Sequence, residues 1–352
     1  MVSHPHRCSY IPPHVLDRVA RRADEPAKAA ARATAQQSQA TRRARAGAML
    51  TVPRLLAARA GVAAEAAGAR RVYDCKGQWE QQVALARKEG DEEASGDVDV
   101  DTVYEHAGFA REFYRAELGR NSIDNQGMDL VLNVHYGEDY MNALWDGEQI
   151  LFGDGDGEIF SSLARSLEVT AHELTHGVVQ FSANLEYYSQ SGALDESMAD
   201  VLGAAVTQHA EGQDAGQADW LIGDEVMGPT LYGEALRSVK APGTAYHNTL
   251  LGRDPQPAHM DDYFTGTEDH QGVHINSGIP NRAFYLTASD VGTPAAGRIW
   301  YAALHRLWPT ADFNDAVEVI VDTTRELTRD EQAPKGAAQV VRAAFREVGL
   351  PR

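Results

Sequence analysis

The sequence predicts an α+β protein with two lobes, the first rich in strands and the second helical. Short alternating segments separated by glycine turns follow Val72, whereas apolar residues recur at helical spacing from about residue 279 onward. Between these regions, the long amphipathic patterns at 161–181 and 193–209 predict a central pair of helices. A chain of 352 residues is long enough to bury the core that two such lobes require.

The first 71 residues differ in composition from the rest of the chain. They hold 13 Arg and Lys against 4 Asp and Glu, a local charge of +9, so the remainder carries −28 and the whole chain −19. Opposite charges predict that the two parts attract each other. The stretch 17–71 is rich in Ala and Arg but poor in large apolar residues, so it can form helices but no core of its own.

We therefore expect three parts: a detachable leader at 1–71, a first lobe at 72–181 and a helical lobe at 182–352. A second interpretation of the leader is a solvated basic arm that binds nucleic acid. This interpretation is disfavoured because no aromatic residues interleave the arginines, as a stacking platform for bases would need.

Several classes of protein are excluded by what the sequence lacks. No apolar run approaches the ~18–20 residues that span a bilayer. The first 20 residues lack the apolar stretch of a secretory signal, so we expect a cytoplasmic protein or one secreted without a conventional signal peptide. Two cysteines, Cys8 and Cys75, are too few for a disulfide framework or a thiolate zinc cluster.

Local patterns assign the remaining elements. Residues 128–134 (MDLVLNV) and 149–152 (QILF) read as strands, and the segment between them as a loop and a sheet edge. In SYIPPHVL, Pro12 and Pro13 predict an extended conformation that cannot lie inside a helix.

The strongest chemical signal is the pentapeptide HELTH. His172 and His176 are four residues apart, so on a helix both rings project from one face and can share one Zn²⁺. Glu173 follows the first histidine and can act as general base toward a metal-bound water. Alone, the motif is only moderately specific, because a solvated helix with hydrogen-bonded histidines can carry the same residues.

Two carboxylates on the second predicted helix complete a metal site. A catalytic zinc has three protein ligands and one open position, and Glu196 supplies a third ligand 20 residues after His176. Asp200 lies one helical turn beyond Glu196, where a carboxylate can orient a ligating histidine through its other ring nitrogen.

The segments HELTHGV, GALDESMAD and GVHINSG, in this order, resemble the signatures of the thermolysin (gluzincin, M4) metallopeptidases. The resemblance runs from about Val72 to the C-terminus and implies a two-lobed, thermolysin-like zinc endopeptidase. It implies one catalytic Zn²⁺ held by His172, His176 and Glu196. It also implies that Glu173 is the general base and that Asp200 is the partner of His172.

The same resemblance implies further catalytic groups. His274 corresponds to the histidine that stabilises the oxyanion of the tetrahedral intermediate, and Asp269 to the carboxylate that holds it. Tyr187 corresponds to a second oxyanion donor, although its neighbour Tyr188 leaves this assignment open by one residue.

Substrate-binding residues also follow from the resemblance. Asn142 and Ala143 match the edge segment that pairs with an extended peptide, and Arg237 matches an arginine that contacts a substrate carbonyl. Five apolar residues would line a pocket for a bulky hydrophobic side chain after the scissile bond, although each is equally consistent with core packing. They are Phe160, Leu163, Val169, Ile222 and Leu236.

Calcium is where this sequence departs from the family. Glu168, Asp219 and Asp224 stand where the double calcium site has ligands, but Thr207 and Leu221 replace two expected carboxylates. Two adjacent Ca²⁺ ions need several anionic oxygens, so we expect at most one Ca²⁺ here.

SYIPPHVL resembles the short propeptide of protealysin-like members of the family, which implies a zymogen. The leader would then inhibit the enzyme intramolecularly, with Pro12 and Pro13 in or near the cleft and basic side chains docked on the acidic body. Cys8 either reaches the zinc as a thiolate or takes no part. Self-cleavage near Arg71 would place Val72 in the hydrophobic pocket.

The predicted partners are therefore polypeptide substrates and the leader itself, without a membrane and without nucleic acid. The main alternative is a catalytically silent zinc-binding protein of the same fold. It would be favoured if Glu173 or His274 were missing, and both are present.

Overall fold

The computed structural model describes residues 9–48 and 68–350, with side chains for 9–39 and 68–350. Cys8 and the segment 49–67 lie outside the described residues. Within the described ranges, no helix is both long and apolar enough to cross a membrane.

The leader forms two helices, α1 (Pro13–Arg22) and α2 (Glu25–Ala48), which pack against each other. Pro12 is extended, with φ −62° and ψ 146°, and Pro13 is the first helical residue. Proline suits this position because its missing N–H would have no partner within the helix. The predicted extended conformation therefore ends at Pro12, and the motif starts a helix instead of excluding one.

Helix α1 binds the body through both apolar and polar contacts. Val15 and Val19 on one face are fully buried. On the other side, Arg18 donates to the carbonyl of Leu251 and Arg22 to that of Thr249, at 3.2 Å for the second pair. The basic side chains thus dock on the body as expected, but these two arginines contact carbonyl oxygens and not carboxylates.

The first lobe is built on a five-stranded mixed sheet with strand order β2-β1-β3-β5-β4. Helix α3 packs on this sheet and α4 runs beside it. The elements of this lobe are β1 (Arg70–Asp74), β2 (Ala84–Lys88), α3 (Val98–Leu118), β3 (Leu130–Val134), β4 (Ala143–Trp145), β5 (Ile150–Phe152) and α4 (Leu167–Gln180). The two strands predicted at 128–134 and 149–152 correspond to β3 and β5. The predicted edge is β4.

Strand β1 starts two residues before the predicted start of the body. Val72 is its buried central residue, and the strand pairs with β2 on one side and β3 on the other. Arg70 makes an ion pair with Glu89 at 2.6 Å. The peptide bond between Arg71 and Val72 therefore lies inside the sheet.

The second lobe is helical, and the loops between its first two helices contain two pairs of two-residue strands. Its helices are α5 (Ser189–Glu211), α6 (Glu268–Asn276), α7 (Gly278–Val291), α8 (Thr293–Leu304), α9 (Phe313–Arg329) and α10 (Ala337–Glu347). The strands in the loops are β6 (Leu221–Ile222), β7 (Arg237–Ser238), β8 (His247–Asn248) and β9 (Gly252–Arg253). They form two hairpins, β6–β7 and β8–β9.

The central helix pair is α4 and α5. Helix α4 starts at Leu167 because the Ser166 side chain accepts a hydrogen bond from the Val169 N–H, and a short 3-10 turn (Leu163–Arg165) precedes it. The single helix predicted over 161–181 is therefore divided, and α5 is longer than the predicted 193–209. A Cβ atom at Gly203 would lie 3.4 Å from the backbone nitrogen of His172, an ordinary packing distance, so the two helices are in close contact here.

Candidate metal and peptidase site

Helices α4 and α5 bring three metal-binding side chains together in the core. His172 and His176 project from α4 with their Nε2 atoms 3.0 Å apart, and Glu196 faces them from α5. Glu196 Oε2 is 3.7 Å from His172 Nε2, and Glu196 Oε1 is 3.6 Å from His176 Nε2. All three residues are buried, and together they could hold one metal ion.

Each histidine is oriented by a carboxylate on its other ring nitrogen. His172 Nδ1 is 3.1 Å from Asp200, and His176 Nδ1 is 2.8 Å from Asp195. With protons on both Nδ1 atoms, both Nε2 lone pairs point into the same space. A metal ion in that space could bind both nitrogens.

Asp195 was missed by the sequence reasoning. Asp200 and Glu196 share one face of α5 at i, i+4 spacing, whereas Asp195 lies about 100° around the helix. It reaches His176 because that histidine is one turn further along α4 than His172. The sequence did contain one indication of its role, because Asp195 directly precedes the predicted ligand Glu196 in ALDES.

The donor set fits zinc. Glu196 Oε2 and Glu173 Oε1 are buried without a hydrogen-bond partner in the described structure, a costly condition that a metal ion with its water relieves. Two imidazoles and one carboxylate are the ligands of a catalytic Zn²⁺ with an open fourth position. Burial lowers the pKa of His172 to about 4, which keeps that imidazole neutral and able to ligate.

The field at the site favours positive charge. Against the effect of burial, Glu196 and Asp195 raise the pKa of His176 to about 9. Asp200 stays ionised although it is buried, because Arg237 and His172 hold its pKa well below the usual range. Arg237 contacts Asp200 at 2.8 Å.

Glu173 lies beside the three candidate ligands and is itself fully buried. Its Oε2 accepts a hydrogen bond from the backbone N–H of Trp145 on β4, at 2.5 Å. Burial raises the pKa of Glu173 to about 7, which is a useful value for a group that must take and return a proton near neutral pH.

His274 and Tyr187 lie on the opposite side of Glu196. His274 Nδ1 is 2.7 Å from Asp269, and its Nε2 is 3.1 Å from the Tyr187 hydroxyl, which also donates to Glu196. Against the effect of burial, Asp269 and Glu196 raise the pKa of His274. Tyr187 is buried, whereas Tyr188 is 41% exposed, which favours Tyr187 as the residue at the site.

A left-handed turn positions Asp269. Residues 269–272 all have positive φ, with Asp269 at 53° and His270 at 52°. Non-glycine residues adopt this conformation only under constraint, and such strain concentrates at functional sites. Here the turn directs Asp269 back to both the ring and the backbone N–H of His274, the latter at 2.8 Å.

The predicted substrate-binding residues contact the leader. Asn142 accepts from the N–H of Ile11 at 2.8 Å and donates to its carbonyl at 3.1 Å. The Ala143 carbonyl accepts from the N–H of Tyr10 at 3.0 Å, and Arg237 donates to the Tyr10 carbonyl at 3.2 Å. The leader therefore lies along β4 like an added strand.

The five predicted pocket residues are all buried and belong to one apolar cluster with Tyr10. They are Phe160, Leu163, Val169, Ile222 and Leu236. The Tyr10 side chain is itself completely buried.

The candidate calcium ligands surround a separate cavity of about 90 Å³. Glu168, Asp219, Asp224, Thr207 and Leu221 all line it. Glu168 is buried, and burial raises its pKa well above the usual range. Its Oε2 accepts from the N–H of Gly223.

A buried site of two histidines and a glutamate on facing helices, with a glutamate base and an oxyanion-binding histidine beside it, defines a zinc-dependent peptidase. Comparison with known families agrees. Residues 59–180 match the model of the thermolysin metallopeptidase catalytic domain, and residues 183–350 match that of the thermolysin metallopeptidase alpha-helical domain. The chain belongs to the thermolysin metallopeptidase family and is a zinc metalloendopeptidase.

Individual relatives support this assignment. The chain is 49% identical to an extracellular metalloprotease of Pectobacterium carotovorum subsp. carotovorum, over 67% of this chain and 68% of the relative. It is 43% identical to protease PrtS of Photorhabdus sp. (strain Az29), over 80% and 76%. Among solved structures, the precursor of protealysin, a metalloproteinase from Serratia proteamaculans, matches with a TM-score of 0.85 and 38% identity. That match covers 97% of this chain and 99% of the precursor.

Removing the carboxylate behind His176 is expected to weaken zinc binding. Asp195→Ala should lower the zinc affinity about 10- to 100-fold, because the imidazole loses the group that fixes its orientation and tautomer. Asp195→Asn is the matched control, since its amide oxygen can still accept from Nδ1, and it should lose much less. Titration against a competing chelator measures both. Equal affinities for wild type and Asp195→Ala, with the fold intact by circular dichroism, would contradict this role.

Proposed function

We propose that this chain is the latent form of a zinc endopeptidase that cuts peptides before a bulky hydrophobic residue. One observation carries the proposal: residues 9–11 of the leader contact Asn142, Arg237 and His274 and so occupy groups that would bind a substrate. A segment bound in this way excludes substrates for as long as it stays attached.

The roles of the side chains follow from their positions. His172, His176 and Glu196 would hold the zinc, which supplies a water of lowered pKa and polarises the substrate carbonyl. Glu173 would take a proton from that water and pass it to the leaving nitrogen. His274 and Tyr187 would donate hydrogen bonds to the carbonyl oxygen as negative charge develops on it. Asp269 would hold His274 in its donating orientation.

Pocket chemistry supports the substrate preference. Tyr10 is fully buried and belongs to the same hydrophobic core as Phe160, Leu163 and Leu236. Burial of a large hydrophobic side chain contributes roughly 1.5–3 kcal/mol relative to leaving it exposed. A substrate with such a residue after the scissile bond should therefore bind best.

The catalytic role of Glu173 is tested by Glu173→Gln. This variant should keep one zinc per chain but lose about 10²- to 10⁴-fold in kcat, because the proton acceptor is gone while the ligands remain. The exposed Glu148→Gln is the matched control and should retain full activity. Turnover of a quenched fluorescent peptide, together with zinc analysis, gives both readouts. An active Glu173→Gln enzyme would exclude this mechanism, and it would also exclude the alternative of a silent zinc-binding protein.

We place the end of the leader before Gly68. A cut between Arg71 and Val72 would require β1 to leave the sheet, because the strand is paired on both sides. A cut upstream of β1 requires no such disruption. Cys8 as a zinc ligand stays a prediction, since it lies outside the described residues.

Calcium and destination belong to the same proposal. We propose at most one Ca²⁺ at the Glu168 cavity, because Thr207 and Leu221 stand where two carboxylates of the double site would be, although Glu211 and Glu225 also line the cavity. Metal analysis of the dialysed chain measures this number. The sequence predicts that the protein is either cytoplasmic or secreted without a conventional signal peptide. The name of the Pectobacterium relative, an extracellular metalloprotease, supports secretion. Fractionation of producing cells distinguishes them.

The leader should hold less tightly in acid because of His14. This residue of α1 is half-buried against the body, with Nε2 3.2 Å from the Tyr246 hydroxyl, and burial lowers its pKa to about 4. Asp269 opposes this shift, whereas His274, Arg18 and Arg237 add to it. A base whose pKa is lowered in the docked state favours docking above pH 6.5 and disfavours it as the pH falls toward 4.

The leader competes with added peptide for the same site. Weaker binding of the leader to the body therefore appears as tighter binding of the peptide. Between pH 7 and pH 5, the apparent affinity of the full-length Glu173→Gln chain for a peptide should rise by roughly 20-fold more than in a double variant that also carries His14→Gln. Dividing the affinity change of the single variant by that of the double variant cancels the contribution of other titrating groups. An equal pH response in the two proteins would show that His14 does not control docking.

A further inference from the structure

We propose that the leader is bound as a substrate in productive register and that the peptide bond between Ser9 and Tyr10 is the first bond that the enzyme cuts. The inference rests on the proposed function and adds the bond, its pocket residue and the consequence of the cut. It depends on three sets of contacts that locate this bond.

The first set locates the carbonyl. The Ser9 oxygen lies 2.9 Å from Nε2 of His274, and that nitrogen is 3.1 Å from the Tyr187 hydroxyl. These are the two groups placed to stabilise an oxyanion. In the leader, the carbonyl presented to them is that of Ser9.

The second set locates the side chain after the bond. The Tyr10 ring makes an edge contact with His172, 5.1 Å between ring centres, and Arg237 lies 5.3 Å from the ring centre on another side. The hydroxyl end reaches Gly223, where a Cβ atom would lie only 3.1 Å from the Tyr10 oxygen and 2.8 Å from Leu236. Glycine at this position leaves the depth that a tyrosine needs.

The third set locates the leaving nitrogen. The Tyr10 N–H donates to the carbonyl of Ala143, and two residues along the same strand the Trp145 N–H holds Glu173. Residues i and i+2 of a strand face the same way. Strand β4 therefore holds Glu173, which would deliver the proton. The same strand binds the Tyr10 nitrogen, which would receive it.

The proposed step is hydrolysis by one water molecule. The water oxygen bonds to the Ser9 carbonyl carbon, and the bond from that carbon to the Tyr10 nitrogen breaks. Glu173 transfers a proton from the water to the nitrogen. The second water proton also passes to this nitrogen as the bond breaks, so the products are a carboxylate on Ser9 and an ammonium group on Tyr10.

The cut should not by itself free the cleft. Apart from the Ser9 carbonyl, the contacts described above lie on the C-terminal side of the bond. They include the Asn142 clamp on Ile11, the Arg18 and Arg22 contacts, and the hydrogen bond of Thr34 to the Met141 N–H at 3.0 Å. The shortened leader therefore stays bound and the enzyme stays latent until a later cut upstream of β1.

The experiment starts from the full-length chain, freed of metal with a chelator and then given Zn²⁺, and follows its intact mass with time. The expected first product lacks residues 1–9 and has Tyr10 as its N-terminus. Glu173→Gln, treated alike, should stay whole. Tyr10→Ala should lose this cut at least about 10-fold in rate, whereas Tyr10→Phe should keep it, because the buried hydroxyl has no hydrogen-bond partner among the described residues.

A second readout needs neither zinc nor activity. In the metal-free full-length chain, Tyr10→Ala should lower the unfolding midpoint by about 5 °C or more, and Tyr10→Phe by much less. Tyr232→Ala, at a side chain that is 91% exposed, is the control and should leave the midpoint unchanged.

The outcomes separate this inference from the proposed function. If the chain cleaves an added peptide once the leader is removed but never cuts between Ser9 and Tyr10, the inference is wrong and the peptidase proposal stands. The inference is also wrong if Tyr10→Ala is cut at that bond as fast as wild type, or if it does not lower the metal-free midpoint. A chain that binds zinc but cleaves no peptide, with or without its leader, would instead overturn the proposed function.

Discussion

Two buried imidazole nitrogens that lie 3.0 Å apart are the constraint on which the rest of the site depends. Asp195 forms a hydrogen bond with the other ring nitrogen of His176, and Asp200 lies 3.1 Å from that of His172. A metal ion between the two Nε2 atoms would bind both of them, and Glu196 is placed to contribute the negative charge that such an ion needs. The close approach of α4 and α5 is thus the structural basis of the chemistry.

The buried charges around this centre form one connected network. Asp200 contacts His172 on one side and Arg237 on the other, and Arg237 in turn donates to the Tyr10 carbonyl. The residue that orients a metal ligand is therefore one contact away from the residue that binds a peptide. A network of this kind is stable only when each member is paired, because an unpaired buried charge is expensive. The docked leader supplies one of the acceptors.

Sequence reasoning found the residues whose spacing within one element determines their geometry. His172 and His176 share a helix face, as do Glu196 and Asp200, so local periodicity was sufficient for them. It did not find Asp195, because its role depends on how α5 is rotated against α4. The contacts of Ser9 and Tyr10 depend on the path of the leader across the body, which local patterns do not contain. The arginines of α1 show the same limit, since net charge predicted attraction but not that Arg18 would select a carbonyl oxygen.

The central claim is that the two histidines and Glu196 form a zinc site that the leader covers. Anomalous diffraction at the zinc edge from crystals of the full-length Glu173→Gln chain tests it most directly. The account predicts one strong peak within about 2.0–2.2 Å of both Nε2 atoms and of a Glu196 oxygen, with Tyr10 in the pocket beside it. A peak elsewhere, or no peak in zinc-saturated crystals, would contradict the account.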